Sequence, residues 1–190
     1  MKIFSLSMTL ALMSVGAASA LTVKGTVSGA NVTPDLRVAG VVITPSGQFV
    51  QELSSVPVEG GSFTMEIPDT SPLPRAMVSL TPQNVNWPGV IDPVQVSGQA
   101  QVAELKLFTY RDQNNNGRRD DNEPLREAMS DARGANLFVV WANTDVTVTA
   151  NKGFRAPLKR GWNAFLVDVG KAVSVQPFAD STVVTVRIGR

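Results

Sequence analysis

The chain has 190 residues, with 17 Lys and Arg against 16 Asp and Glu, and it contains neither histidine nor cysteine. Those absences exclude zinc and copper sites of the usual His/Cys type, Ser-His-Asp and Cys-His nucleophile systems, and disulfide staples. A net charge of +1 gives no general attraction to nucleic acid or to an anionic membrane surface.

Residues 1–20 have the pattern of a secretory signal peptide. Lys2 supplies the basic start, 3–15 is an apolar run, and Ala18-Ser19-Ala20 fits a small-residue cleavage site. The run is too short to span a bilayer, and no later stretch is apolar enough to be a transmembrane segment. No cysteine follows the cleavage point, so a lipoprotein anchor is excluded. The expected location is outside the cytoplasm, in the periplasm or at the cell surface. An exported chain without disulfides draws its stability from packing, metal or association.

Residues 21–27 alternate apolar and polar and predict a first strand. A turn cluster follows at 29–35, then a strand at 36–44, a tight Pro45-Ser46-Gly47 connection and a returning arm at 48–53. Residues 56–58 and 62–68, joined by Glu59-Gly60-Gly61, predict a second hairpin. Phe63, Met65 and Ile67 share one of its faces, because strand side chains alternate. Residues 76–80 close an N-terminal module over 21–81. Val23-x-Gly25-x-Val27, Gly60-Gly61-Ser62-Phe63 and Ile67-Pro68 resemble the carboxypeptidase-regulatory-like, transthyretin-like β-sandwich modules. That resemblance implies a structural or accessory role rather than a catalytic one.

Residues 82–100 read as a Pro-rich connection, with Pro82, Trp87-Pro88-Gly89 and Asp92-Pro93. Proline lacks an N–H and breaks sheet ladders, which suits a crossing segment or an edge. Trp87 has two readings, a packing anchor over an open sandwich end or an exposed aromatic for a sugar or a partner. A C-terminal sandwich is expected over 101–190, beginning with a strand at 102–110.

That strand leads into the stretch that commits to a chemistry, residues 112–123. A 12-residue loop can offer calcium oxygen ligands from positions 1, 3, 5, 7, 9 and 12. Here those positions are Asp112, Asn114, Asn116, Arg118 through its main-chain carbonyl, Asp120 and Glu123. Gly117 occupies the sharp turn at position 6, and the spacing fits D-x-[DN]-x-[DN]-G-x5-E in full. Other features differ from an EF-hand. The preceding segment has strand rather than helix periodicity, and position 8, usually apolar, is Arg119. Two side-chain ligands are neutral Asn, and Arg111, Arg118, Arg119 and Arg126 stand nearby. Affinity is therefore expected in the extracellular range, roughly 10⁻⁴–10⁻³ M or somewhat tighter. A metal-free polar turn is the other reading; it accounts for Asn116-Gly117 but not for the acids at positions 1, 9 and 12. Pro124 predicts the opening of a short helix over 125–131, with Leu125 and Met129 on its buried face.

Tyr110-Arg111-Asp112-x-Asn114-x-Asn116-Gly117-x-x-Asp120-x-x-Glu123-Pro124 resembles the opening of the SdrD B-like domains. Those are calcium-stabilised immunoglobulin-like sandwiches of bacterial surface proteins. The resemblance implies calcium at the six ligands just named. It departs at 126–134, which intervenes before the strand at 137–142, where the family's second strand follows almost at once.

The strand at 137–142 is nearly all apolar and should be central. Further strands are predicted at 145–150, 154–158, 162–169, 172–175 and 182–188, with turns at Asn151-Lys152-Gly153, Lys159-Arg160-Gly161 and Gly170-Lys171. The chain is thus expected to be all-β: one or two small antiparallel β-sandwiches, immunoglobulin- or transthyretin-like, with at most one short helix after the loop. Lys152, Arg155, Lys159 and Arg160 form a basic cluster. It is either a solvated hairpin face or a contact patch for an anionic polymer or an acidic protein surface.

These features point to a non-enzymatic cell-envelope protein, structurally stabilised by calcium, that scaffolds or binds an envelope protein or polysaccharide. No nucleic-acid partner is expected. A carbohydrate-binding module, resting on Trp87, Trp141 and Trp162, and an inhibitor of an extracellular enzyme are the alternatives.

Overall fold

The computed structural model describes residues 21–29 and 32–188; the expected signal peptide, residues 1–20, lies outside the described residues. The architecture is all-β. In chain order the strands are β1 (Leu21–Ser28), β2 (Leu36–Ile43), β3 (Phe49–Pro57), β4 (Ser62–Ile67), β5 (Val78–Ser79), β6 (Gln95–Val96) and β7 (Gln101–Arg111). They continue with β8 (Arg126–Ala132), β9 (Ala135–Ala142), β10 (Val146–Thr149), β11 (Arg155–Leu158), β12 (Gly161–Val169), β13 (Val173–Pro177) and β14 (Val183–Ile188). Two three-residue 3-10 turns, Pro74–Ala76 and Asn151–Gly153, are the only helical elements among the described residues.

One group of strands runs β4-β1-β14-β8 and joins β7 through Phe108 opposite Glu127. β7 continues into β2 and β3 on its other side. β1 is antiparallel to β4 and parallel to β14, so the first and last strands of the described chain are neighbours. Their inward faces enclose a core of Val23, Val38, Met65, Leu105, Val184 and Val186, among others. Here the alternation read from the sequence holds: in β4, Phe63, Met65 and Ile67 are buried and Ser62, Thr64 and Glu66 exposed. Gly25 is glycine for a steric reason, since a Cβ there would collide with the Phe63 ring and with Val184.

The second group shares β7 and β9. The N-terminal part of β7 pairs with β5 and β9, β9 pairs with β12, and β12 with β13. A small β6-β10-β11 sheet covers them, enclosing Trp87, Phe138, Val140, Val148, Phe154, Leu158 and Phe165. β9 is therefore buried on both sides, with Val139 in the first core and Phe138 and Val140 in the second. That two-sided burial explains its near-continuous apolar run. Strands from 21–81 and from 101–190 hydrogen-bond directly to one another, β1 with β14 and β2 with β7.

The helix expected over 125–131 is a strand instead. β8 finds ladder partners on both sides, β14 along Ala128–Asp131 and β7 and β9 at its two ends. Those long-range bonds outweigh the local helix-start signal of Pro124. Met129, expected to be buried, is 69% exposed. Leu125 does pack inward, against a cluster of Ala39, Val41, Ile43 and Tyr110.

Trp87 is a packing anchor, with its ring 5.1 Å from that of Phe138. Trp141 is buried as well, and the indole N–H of Trp162 donates to Thr70 O at 3.2 Å. None of the three tryptophans is an exposed platform.

Candidate metal-binding loop

Residues 112–123 connect β7 to β8 and meet β2 through Arg37 and β3 through Phe49. The entry is clamped first. Asp112 N–H donates to Asp35 O at 2.9 Å, and Arg111 Nη1 donates to Thr33 Oγ1 at 2.7 Å beside the Asp35 carboxylate. The chain then turns through Asn115 (φ 55) and Gly117 (φ 78), both left-handed, a region that glycine and asparagine tolerate best.

Two carboxylates hold the turn from inside. Asp112 is 2% exposed; its Oδ1 accepts the Asn116 N–H at 3.0 Å and its Oδ2 the Gly117 N–H at 2.8 Å. Glu123 is 0% exposed; its Oε1 accepts the Gln113 N–H at 2.7 Å and its Oε2 the Asp120 N–H at 3.0 Å. The first and last positions of the loop thus satisfy four of its backbone donors. Buried N–H groups need such partners, and a carboxylate is the strongest acceptor a side chain offers.

The middle ligand positions gather on the other side. Asp120 Oδ2 accepts from Asn114 Nδ2 at 2.7 Å and from Asn116 Nδ2 at 2.9 Å. Asn114 Oδ1 accepts the Asn116 N–H at 3.2 Å, and Asn116 Oδ1 accepts the Arg118 N–H at 2.8 Å. The Arg118 side chain points to solvent. All six residues therefore lie in one hydrogen-bonded loop, but among the described residues no three acidic side chains converge at metal-binding separation.

Four residues that the sequence reading did not single out position this loop. Arg37 in β2 donates through Nε and Nη2 to Ser55 Oγ and O in β3, and its Nη1 lies 3.6 Å from Asp112 Oδ2. Ser55 Oγ also shares a 2.8 Å hydrogen bond with the buried Tyr110 hydroxyl, whose pKa burial holds above the ordinary tyrosine value. Phe49 receives the Arg119 guanidinium 5.3 Å above its ring, while Arg119 Nε donates to Glu123 O at 3.0 Å. Position 8 is thus a cation that covers an aromatic ring, where such loops usually carry an apolar residue. Glu52 completes the surroundings. Burial raises its carboxyl above the ordinary glutamate value, opposed by Arg37 and Arg119 and reinforced by Glu123. The one sequence signal for Arg37 is its place as the sole charge in the apolar strand Leu36–Ile43.

The donor set is all oxygen, the chemistry a hard divalent cation takes. Asp112 has Arg37 beside it, whereas Glu123 is held by backbone N–H groups alone. Among the described residues, no Lys or Arg nitrogen lies within 4.0 Å of the Glu123 carboxylate. The donor type is the one calcium takes, while among the described residues the carboxylates do not converge on one point.

The basic cluster is partly tied down. Lys159 Nζ pairs with Asp145 Oδ2 at 2.7 Å, and Arg160 N–H donates to Asp145 Oδ1 at 2.9 Å. Comparison with known proteins adds no relative: no family model matches the chain, and no curated protein or solved structure matches it significantly.

Proposed function

We propose that this is an exported, non-enzymatic cell-envelope protein whose loop at 112–123 is stiffened by calcium, and that it scaffolds or binds an envelope protein or polysaccharide. The observation that carries the calcium reading is Glu123, a fully buried carboxylate without a cationic side chain. Two backbone N–H groups hold this carboxylate, yet among the described residues it has no counter-ion within 4.0 Å, and a bound cation is one way to supply one. The ligands would be Asp112, Asn114, Asn116, Arg118 through its carbonyl, Asp120 and Glu123. Bound calcium would neutralise the loop's carboxylates and fix the path from β7 to β8.

Export is supported by the signal-like residues 1–20, and a non-enzymatic role by the lack of His and Cys. No helix among the described residues is long and apolar enough to cross a membrane. A cation that binds only the folded chain stabilises it by RT ln(1 + [L]/Kd), about 2.7 kcal/mol at a hundredfold excess. In a chain without disulfides that is a large part of a typical ~5–15 kcal/mol.

The test is calcium titration of the purified protein by isothermal calorimetry, with magnesium as control and Glu123→Gln as the variant. Calcium-selective heat in the parent that is lost in the variant supports the reading. No heat in the parent at millimolar calcium contradicts it. The binding role is tested separately by capture from an envelope fraction, where repeated recovery of no specific protein or polysaccharide counts against it.

A further inference from the structure

Asn116-Gly117 lies where the loop turns through the left-handed Gly117, and it is a reactive pair. A glycine leaves the nitrogen that follows an asparagine unhindered, so that nitrogen can attack the asparagine side-chain carbonyl. Asn116 itself is exposed, so water reaches the product. In the folded loop, however, the attacking nitrogen and both side-chain heteroatoms of Asn116 are hydrogen-bonded. The attacking nitrogen, Gly117 N, donates its proton to Asp112 Oδ2 at 2.8 Å. Asn116 Oδ1 accepts from Arg118 N–H at 2.8 Å, and Asn116 Nδ2 donates to Asp120 Oδ2 at 2.9 Å.

We propose that Asn116-Gly117 is a self-modification site that the loop's own hydrogen bonds keep latent and that loop opening releases. In the open loop the deprotonated Gly117 nitrogen attacks Asn116 Cγ. A new N–Cγ bond closes a succinimide ring. The Cγ–Nδ2 bond breaks, and the amide leaves as ammonia with the proton that Gly117 gave up. Water then opens the ring. Cleavage of the N–Cγ bond leaves Asp at 116, and cleavage at the main-chain carbonyl leaves isoaspartate. Atoms balance with water as the sole co-reactant, and nothing is oxidised or reduced.

The two products act differently. Asp places a carboxylate at the fifth loop position, which the ligand spacing also accepts. Isoaspartate adds a methylene to the backbone and shifts the Gly117 N–H from Asp112. Asn114, Asn115 and Asn122 precede Asn115, Asn116 and Glu123, whose side chains shield the next nitrogen, and they serve as internal controls.

The test incubates the purified protein in mildly alkaline buffer with EDTA, folded or in urea. Conversion at each Asn is followed by peptide mass spectrometry and by enzymatic labelling of isoaspartate. Asn116 is expected to convert at least about tenfold more slowly in the folded protein than in urea, the ratio that protection by local opening produces. Asp112→Ala, checked for folding by circular dichroism, is expected to recover about ten- to a hundredfold of rate through loss of charge-assisted acceptance; if it does not fold, Asp112→Asn replaces it. Equal rates for Asn116 in folded and urea-treated protein overturn the proposal, as does an unchanged rate in a folded Asp112 variant. Because these arms contain no calcium, their outcome is independent of the calcium reading.

Discussion

The loop at 112–123 and the basic hairpin around β11 and β12 are built from similar parts. In each, carboxylates accept backbone N–H groups: two apiece at Asp112 and Glu123 in one, and one at Asp145, beside the Lys159 ammonium, in the other. They differ in burial. Asp112 and Glu123 are buried, whereas Asp145 is exposed and its partner Lys159 is 79% exposed. An exposed pair exchanges protein partners for water at little net gain. A buried acceptor has no water to fall back on, so its removal strands the donors it served. The same kind of hydrogen bond is thus decisive in one loop and nearly neutral in the other.

Glu123→Ala should break the contrast hardest. It orphans the Gln113 and Asp120 N–H groups at once, and about 1–3 kcal/mol for each stranded donor predicts a loss of about 2–4 kcal/mol after partial relaxation. Urea unfolding monitored by tryptophan fluorescence measures it. A change within error would mean that the loop contributes nothing to the fold.

Arg37→Met removes the cation beside Asp112 and the two bonds to Ser55. A loss of about 1–3 kcal/mol is expected in the same assay, reflecting the buried polar groups left behind. With the competing cation gone, calcium should also bind the variant more tightly.

Glu104 sharpens the comparison from the opposite side. Burial, more than its neighbour Glu127, raises its carboxyl above the ordinary glutamate value, and Lys106 opposes the rise. As pH rises, the unfolded chain releases this proton before the folded one does. Stability therefore falls between the ordinary glutamate value and the raised folded value, and the penalty persists above that window. Glu104→Gln should be more stable than the parent at neutral pH. The gain should vanish as pH falls below the ordinary glutamate value. A gain of the same size at all pH values would assign the effect to packing instead.

Asp145→Ala is expected to change least. The melting temperature should stay within error, although the carboxyl is held below the ordinary aspartate value, first by Lys159 and then by the Arg160 N–H. A clear loss would show that exposure does not separate the two loops.

What the sequence revealed was local. The strand at 102–110, the turn at Gly117 and the face of Phe63, Met65 and Ile67 each follow from neighbours within a few residues, and each is found in place. What it hid was long-range. Arg37 and Ser55 reach Asp112 and Tyr110 across many residues, and no spacing rule links them. Residues 125–131 carried a local helix signal, yet β14, β7 and β9 offered ladders that only the assembled sheet provides. Arg119 departs from the apolar residue usual at position 8, and the Phe49 ring beneath it lies far away in sequence, beyond any local spacing rule.

The most direct test of the loop's role is thermal unfolding of the purified protein in EDTA and then across a calcium titration, with magnesium as the control. A calcium-specific rise in melting temperature, absent in Glu123→Gln, is the predicted result. An unchanged melting temperature at millimolar calcium would contradict a metal role and leave 112–123 as a turn held by its own carboxylates.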